Sequence, residues 1–205
     1  MTLTVGNQTL SVSSSGSGGA ASGVSTSDIT TLIKNNTPWQ YIETITAENS
    51  STLDLTNSNI ANFDNFYIQF DSINLSTNAQ TRMRLYLDSA LKTDSSYRFT
   101  TISGSNTSNT NGGNSGLDSW IYGGQNYTWM RNITGAMYIN GKAGSVKVLK
   151  SDLSAANSGN SAVRHGVGGT YNSSDSSTIT GFNFFTNSGN YSSGQLHLYG
   201  MNKHG

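Results

Sequence analysis

The sequence predicts an all-β fold on three observations. From Trp39 onward apolar residues recur at every second position, as where Met83, Leu85 and Leu87 alternate with Arg82, Arg84 and Tyr86. Punctuation rich in Gly, Asn and Ser separates such runs, and about nine or ten of them follow one another. Only one stretch of the chain, residues 25–36, carries a helical spacing. Many short strands with turn signals between them fold as a sandwich or a barrel.

Composition agrees with a folded, neutral, polar surface. The 205 residues allow one domain of ordinary size and a short appendage. Eleven basic and eleven acidic residues cancel, which argues against a nucleic-acid partner or an anionic-membrane footprint, since both need a basic excess. Charged residues make up only 11% of the chain, against roughly 25% in an average globular protein. Ser, Thr, Asn and 23 glycines fill the deficit, while 10% aromatics and the repeated alternation argue against disorder. With no cysteine, a disulfide framework and thiolate chemistry are excluded. No run approaches the ~20 apolar residues of a membrane span, so no membrane insertion is expected. The N-terminal Leu3, Val5, Leu10 and Val12 are interspersed with polar residues, unlike a secretory signal, so synthesis in a cytoplasm is expected.

Three regions differ in texture. Residues 1–24 are expected to form an attachment arm. Within it, Leu3/Val5 and Leu10/Val12 alternate on either side of a Gly6-Asn7 turn signal and predict a small hairpin, followed by a Ser/Gly linker over 13–23. A two-stranded hairpin is marginal by itself, so these apolar residues are expected to anchor the arm on another surface. Residues 25–37 predict one short helix. Ser25 and Asp28 resemble a capping box, and Asn35-Asn36 before Pro38 ends it. Its narrow stripe of Ile29, Leu32 and Ile33 either packs on its own domain or gathers neighbouring subunits about a three-fold axis. Residues 38–205 form the expected β-sandwich domain. Its strands open at Trp39 and continue through Thr52–Leu55, Phe66–Phe70, Met83–Leu87, Tyr97–Thr101, Ile121–Tyr122, Gly135–Asn140, Ser145–Lys150 and Ile179–Phe185. They close at Gln195–Tyr199, where Leu196 and Leu198 occupy one face and Gln195, His197 and Tyr199 the other. Two polar stretches, Gly104–Ser119 and Ser154–Thr178, are expected to be long loops.

No arrangement of residues points to catalysis, a cofactor or a metal, and no enzymatic activity is expected. The eleven carboxylates are scattered singly, without the pairing of a glycosidase. His165, His197 and His204 lack metal-ligand spacing. A nucleophile elbow of the Gly-x-Ser-x-Gly type is absent, and Gly135…Gly141-Lys142 departs from a phosphate loop in spacing and in Ala143. The positive signal is aromatic. Trp120, Tyr122, Tyr127, Trp129 and Tyr171 stand among Asn111, Asn114, Gln125, Asn126 and Asn172. Rings that stack on sugar faces, beside amides that bond hydroxyls, suit a neutral glycan. A protein interface or the core uses the same residues.

The order of motifs resembles a β-sandwich domain that recurs in tailed-phage virion proteins. The resemblance rests on Trp39-x-x-Ile42-x-Thr44-x-Thr46-Ala47-x-Asn49, then Leu53 and Leu55, then Phe63-Asp64-x-Phe66-x-Ile68-x-Phe70-x-x-Ile73. Met83-x-Leu85-x-Leu87, Tyr97, Ile179-x-Gly181-Phe182 and the closing Ser193-Gly194-x-Leu196-x-Leu198-Tyr199-Gly200-Met201 complete it, over about residues 38–202. The family's proline in the turn at Asn74–Ala79 is missing. The resemblance implies a jelly-roll-like antiparallel β-sandwich preceded by an N-terminal anchoring arm and one short helix. It also implies a virion protein, commonly a trimer, displaying its sandwich outward, with residues 1–37 as the arm bound to capsid or tail proteins. The layout of arm and head, with the aromatic and amide residues above, adds the expectation of a fibre-type protein whose sandwich engages a host-surface glycan. A purely structural capsid-decoration or tail-accessory role is the alternative. No catalytic residue is carried over.

Overall fold

A computed structural model describes residues 2–5, 8–11, 38–105, 109–123, 130–157, 159–171 and 176–201. The chain divides into two compact units, Met1–Gln40 and Tyr41–Gly205. In the first, β1 (Thr2–Val5) and β2 (Gln8–Ser11) form the expected antiparallel hairpin, with Leu3 opposite Leu10 and Val5 opposite Gln8. Val12, the linker over 13–23 and the helix expected at 25–36, with Ile29, Leu32 and Ile33, lie outside the described residues.

The second unit is a two-sheet antiparallel sandwich. Its strands are β3 (Trp39–Thr46, which begins at the boundary), β4 (Thr52–Leu55), β5 (Asn65–Leu75), β6 (Thr81–Leu87), β7 (Ala90–Leu91), β8 (Tyr97–Ser105) and β9 (Asn109–Leu117). They continue as β10 (Trp120–Gly123), β11 (Arg131–Asn140), β12 (Lys147–Ala156), β13 (Ala162–Tyr171), β14 (Ile179–Thr186) and β15 (Tyr191–Met201). The large sheet has the order β3-β15-β5-β11-β12-β13-β8-β9, and the smaller runs β10-β6-β14-β4 with β7 beside β6. A 3-10 turn, Ser58–Asn62, joins β4 to β5, its start capped by the Asn57 side chain, which accepts from the Asn59 N–H at 2.9 Å.

Alternation along each strand decides which face is buried. β6 buries Thr81, Met83, Leu85 and Leu87 and turns Arg82, Arg84 and Tyr86 outward, as the sequence predicts. β15 likewise buries Leu196 and Leu198, and pairs along β5 inside the large sheet instead of lying at its rim. The two sheets meet through aromatic pairs. Phe66 of the large sheet packs edge-on against Phe182 of the small one, with ring centroids 5.1 Å apart, and Phe70 does so against Phe184 at 5.8 Å. Such edge-to-face pairs add about 0.5–1.5 kcal/mol each beyond the area they bury.

Both polar stretches expected to be loops contain strands. β9 occupies the first and β13 the second, and β13 is paired on both sides, by β12 and β8. Periodicity was muted there because the inward positions of β13 hold His165 and Gly169 among Val163, Val167 and Tyr171. β9 is an edge strand made mostly of Asn, Gly and Ser, held by backbone pairing to β8.

Candidate functional site

The aromatic residues singled out in the sequence divide sharply in the structure. Trp120, Tyr122 and Tyr171 are core residues, exposed by 0%, 1% and 2%. A ring without an exposed face cannot stack on a sugar, so these three are corrected from ligand-binding to structural residues. Trp120 staples the sheets together. From β10 its indole N–H points at the carbonyls of Arg98 (3.2 Å) and Thr170 (3.1 Å) on β8 and β13. Gly169 leaves the space it needs, since a Cβ there would stand 2.8 Å from the indole nitrogen. The Tyr171 hydroxyl donates to Asp94 Oδ2 at 2.7 Å. Tyr122 and Tyr191 share a buried hydroxyl bond of 2.8 Å, and burial pushes both phenols above their ordinary range. Tyr127, Trp129, Gln125, Asn126 and Asn172 lie outside the described residues. Asn111 and Asn114 are exposed on β9.

The histidines separate in the same way. His165 is fully buried, its Nδ1 2.8 Å from Ser103 Oγ, which is 1% exposed. That pair ties β13 to β8 inside the core, out of reach of substrate, and burial lowers the imidazole to about 4. His197 lies on the outer face of the large sheet, its Nδ1 2.7 Å from Thr44 Oγ1. Among the described residues no three His, Asp or Glu side chains gather as a metal site, and no helix is long and apolar enough to cross a membrane.

The outer face of the large sheet carries an aromatic array that the sequence did not single out. Tyr199 on β15 lies in register with Tyr67 on β5, which lies in register with Tyr138 on β11. Their rings form a row with centroids 5.8 Å and 5.1 Å apart, and Tyr41 of β3 extends it, 5.8 Å from Tyr199. Four tyrosines therefore cross four adjacent strands. Tyr41 is 60% and Tyr138 47% exposed, so the row is open to solvent. Tyr67, in its middle, has its phenol pushed up by partial burial and by Tyr138 and Tyr199 beside it.

The same register continues into the other half of the face. Tyr138 pairs with Lys150 on β12, Lys150 with Gly168 on β13, Gly168 with Thr100 on β8 and Thr100 with Gly113 on β9. A parallel row runs His197, Gln69, Ala136, Asp152, Gly166, Ile102 and Asn111. Asp152 is clasped by Arg164, whose Nε donates to Oδ1 at 3.0 Å and whose terminal nitrogen donates to Oδ2 at 2.7 Å. This bond and the guanidinium charge hold the carboxyl below its usual range. Beyond Tyr138 the face sinks into an open trough of about 1060 Å³ whose lining includes Thr100, Ile102, Lys150, Asp152 and Arg164.

One signal in the sequence would have found the row. Tyr67, Tyr138 and Tyr199 each stand at the outward phase of their strand, beside buried Phe66, Met137 and Leu198. An aromatic on the solvent phase has no core to fill, which marks it for a surface role.

Fold and surface together define an antiparallel β-sandwich with an aromatic and polar sheet face. Compared with known proteins, the chain matches no family model, no curated protein and no solved structure.

Proposed function

We propose that the protein is a fibre-type virion component of a tailed phage. Its sandwich binds a host-surface glycan through the outer face of the large sheet, and residues 1–37 hold it to capsid or tail proteins. The virion setting rests on the motif resemblance between residues 38 and 202. The binding role rests on one observation, the open row Tyr41, Tyr199, Tyr67 and Tyr138. Pyranose rings present apolar C–H faces to such a row, while Gln69, Thr44, His197 and Asn140 supply donors and acceptors around it. This surface lies on the sheet, apart from the expected loop residues Tyr127 and Trp129, which lie outside the described residues.

A second reading has its own support. Ile102 (71% exposed) on β8 and Val148 (46%) on β12 bring aliphatic surface to the same face of the large sheet, and a capsid-decoration or tail-accessory protein would bury such residues against its partner. The readings part in one experiment, a printed glycan panel probed with the intact protein and with Tyr67→Ala, Tyr138→Ala and Tyr199→Ala. Glycan attachment predicts specific binding that each substitution weakens about tenfold, the equivalent of 1.4 kcal/mol. No binding to any glycan, with the same face protected from hydrogen exchange in the assembled virion, selects the structural role.

A further inference from the structure

Gly166 and Gly168 stand where the fold does not need glycine. Both lie inside β13, paired on either side, and neither backbone is in the left-handed region. A Cβ added at Gly166 would meet nothing nearer than the Ile102 carbonyl at 3.7 Å, and one at Gly168 only Thr100 Oγ1 at 3.5 Å. Those are ordinary van der Waals distances. The adjacent Gly169 shows what a packing requirement looks like, with the Trp120 indole 2.8 Å from where its Cβ would be. Glycine inside a strand weakens it and otherwise marks a place where something approaches the backbone closely. Both unneeded glycines face outward and form the floor of the trough that prolongs the tyrosine row.

Charge in the trough is uneven. Arg164 spends its guanidinium on Asp152 through two hydrogen bonds. Lys150 is exposed, in register between Tyr138 and Gly168, and lends only its field to Asp152. These three groups leave one positive charge in surplus, placed where the aromatic row ends and the cleared floor begins.

We infer that the trough takes a linear glycan bearing a carboxylate sugar. Its uncharged residues lie on the tyrosines, its chain passes over Gly168 and Gly166, and its carboxylate meets the Lys150 ammonium. This rests on the glycan reading above and names the class of glycan. A neutral ligand would leave Lys150 without purpose at that position, and a protein partner would not require a floor cleared of side chains over two successive outward positions.

The test uses the full-length chain, uronate-containing and neutral oligosaccharides printed side by side, and the variants Lys150→Gln, Gly166→Ala and Gly168→Val. Uronate chains are expected to bind best. Lys150→Gln should weaken them at least tenfold and leave neutral chains unchanged. Gly168→Val should hold or raise the melting temperature while abolishing binding, and Gly166→Ala repeats that test with a smaller side chain should the valine prevent folding. If the glycine variants bind like the parent, or if Lys150→Gln does not discriminate, the inference is overturned. Binding of neutral chains alone overturns the acidic ligand and keeps the glycan reading, and binding of neither overturns both.

Discussion

At the scale of single residues, the core of this sandwich holds several aromatic groups that must find partners. Trp120, Tyr97, Tyr122, Tyr171 and Tyr191 are all buried, and each places its polar atom on an acceptor or another hydroxyl. Those partners are backbone carbonyls, the Asp94 carboxylate and a second phenol, not the amides that stand near these rings in the sequence. A buried tyrosine needs a hydrogen-bond partner as much as a sugar-binding one does. His165 gives a prediction at this scale. In the fold its imidazole is lowered to about 4 by burial, while in the unfolded chain it titrates near 6.5. Between those values the unfolded state binds more protons. Stability is therefore complete above about pH 6.5 and falls as the pH drops toward 4, by up to about 3 kcal/mol for this group. Urea unfolding between pH 4 and 7 should show that slope, and His165→Gln should flatten it.

At the scale of elements, the strands whose inward phase is filled by large apolar residues were legible, and those filled by small or polar ones were not. β5, β6, β14 and β15 announce themselves through Phe, Leu, Ile and Met. β13 hides because His165 and Gly169 interrupt its apolar phase, and β9 because it is mostly Asn, Gly and Ser, with Leu117 alone in it as a large apolar residue. Register depends on local irregularities too. On β11 the pairing with β5 shifts between Ile133 and Gly135, and Gly135 has φ +132 with the Asp152 carbonyl 2.3 Å from where a Cβ would stand. No other residue fits that bulge. Gly135→Ala should cost about 2 kcal/mol or more, from backbone strain and a steric clash together. A slip there would also carry Tyr138 out of line with Tyr67, so the variant should lose glycan binding in proportion to its loss of structure. Thermal unfolding followed by circular dichroism, read beside the binding assay, checks both.

At the scale of the molecule, the proposed role needs several copies of the tyrosine face acting together, because single sugar contacts are weak and linked sites multiply. The apolar stripe Ile29, Leu32 and Ile33 is the segment proposed to gather three subunits. Light scattering of the purified protein should give three times the 21.8 kDa chain mass, and Ile29→Ser with Ile33→Ser should return it to one. A monomer in the parent would remove Ile29, Leu32 and Ile33 from that role.

The sequence by itself determined the fold class and, for strands such as β5, β6, β14 and β15, which phase enters the core. Both follow from side chains alternating every second residue, a property of the chain within a few positions. Only the tertiary structure decided which strands lie side by side. Tyr41, Tyr67, Tyr138 and Tyr199 come from four strands far apart in the chain, and Lys150 and Gly168 from two more. Their alignment into one row is a matter of register between distant segments, set by how the two sheets close over a shared core. Local pattern placed each tyrosine on the outside. Long-range pairing made the tyrosines a surface.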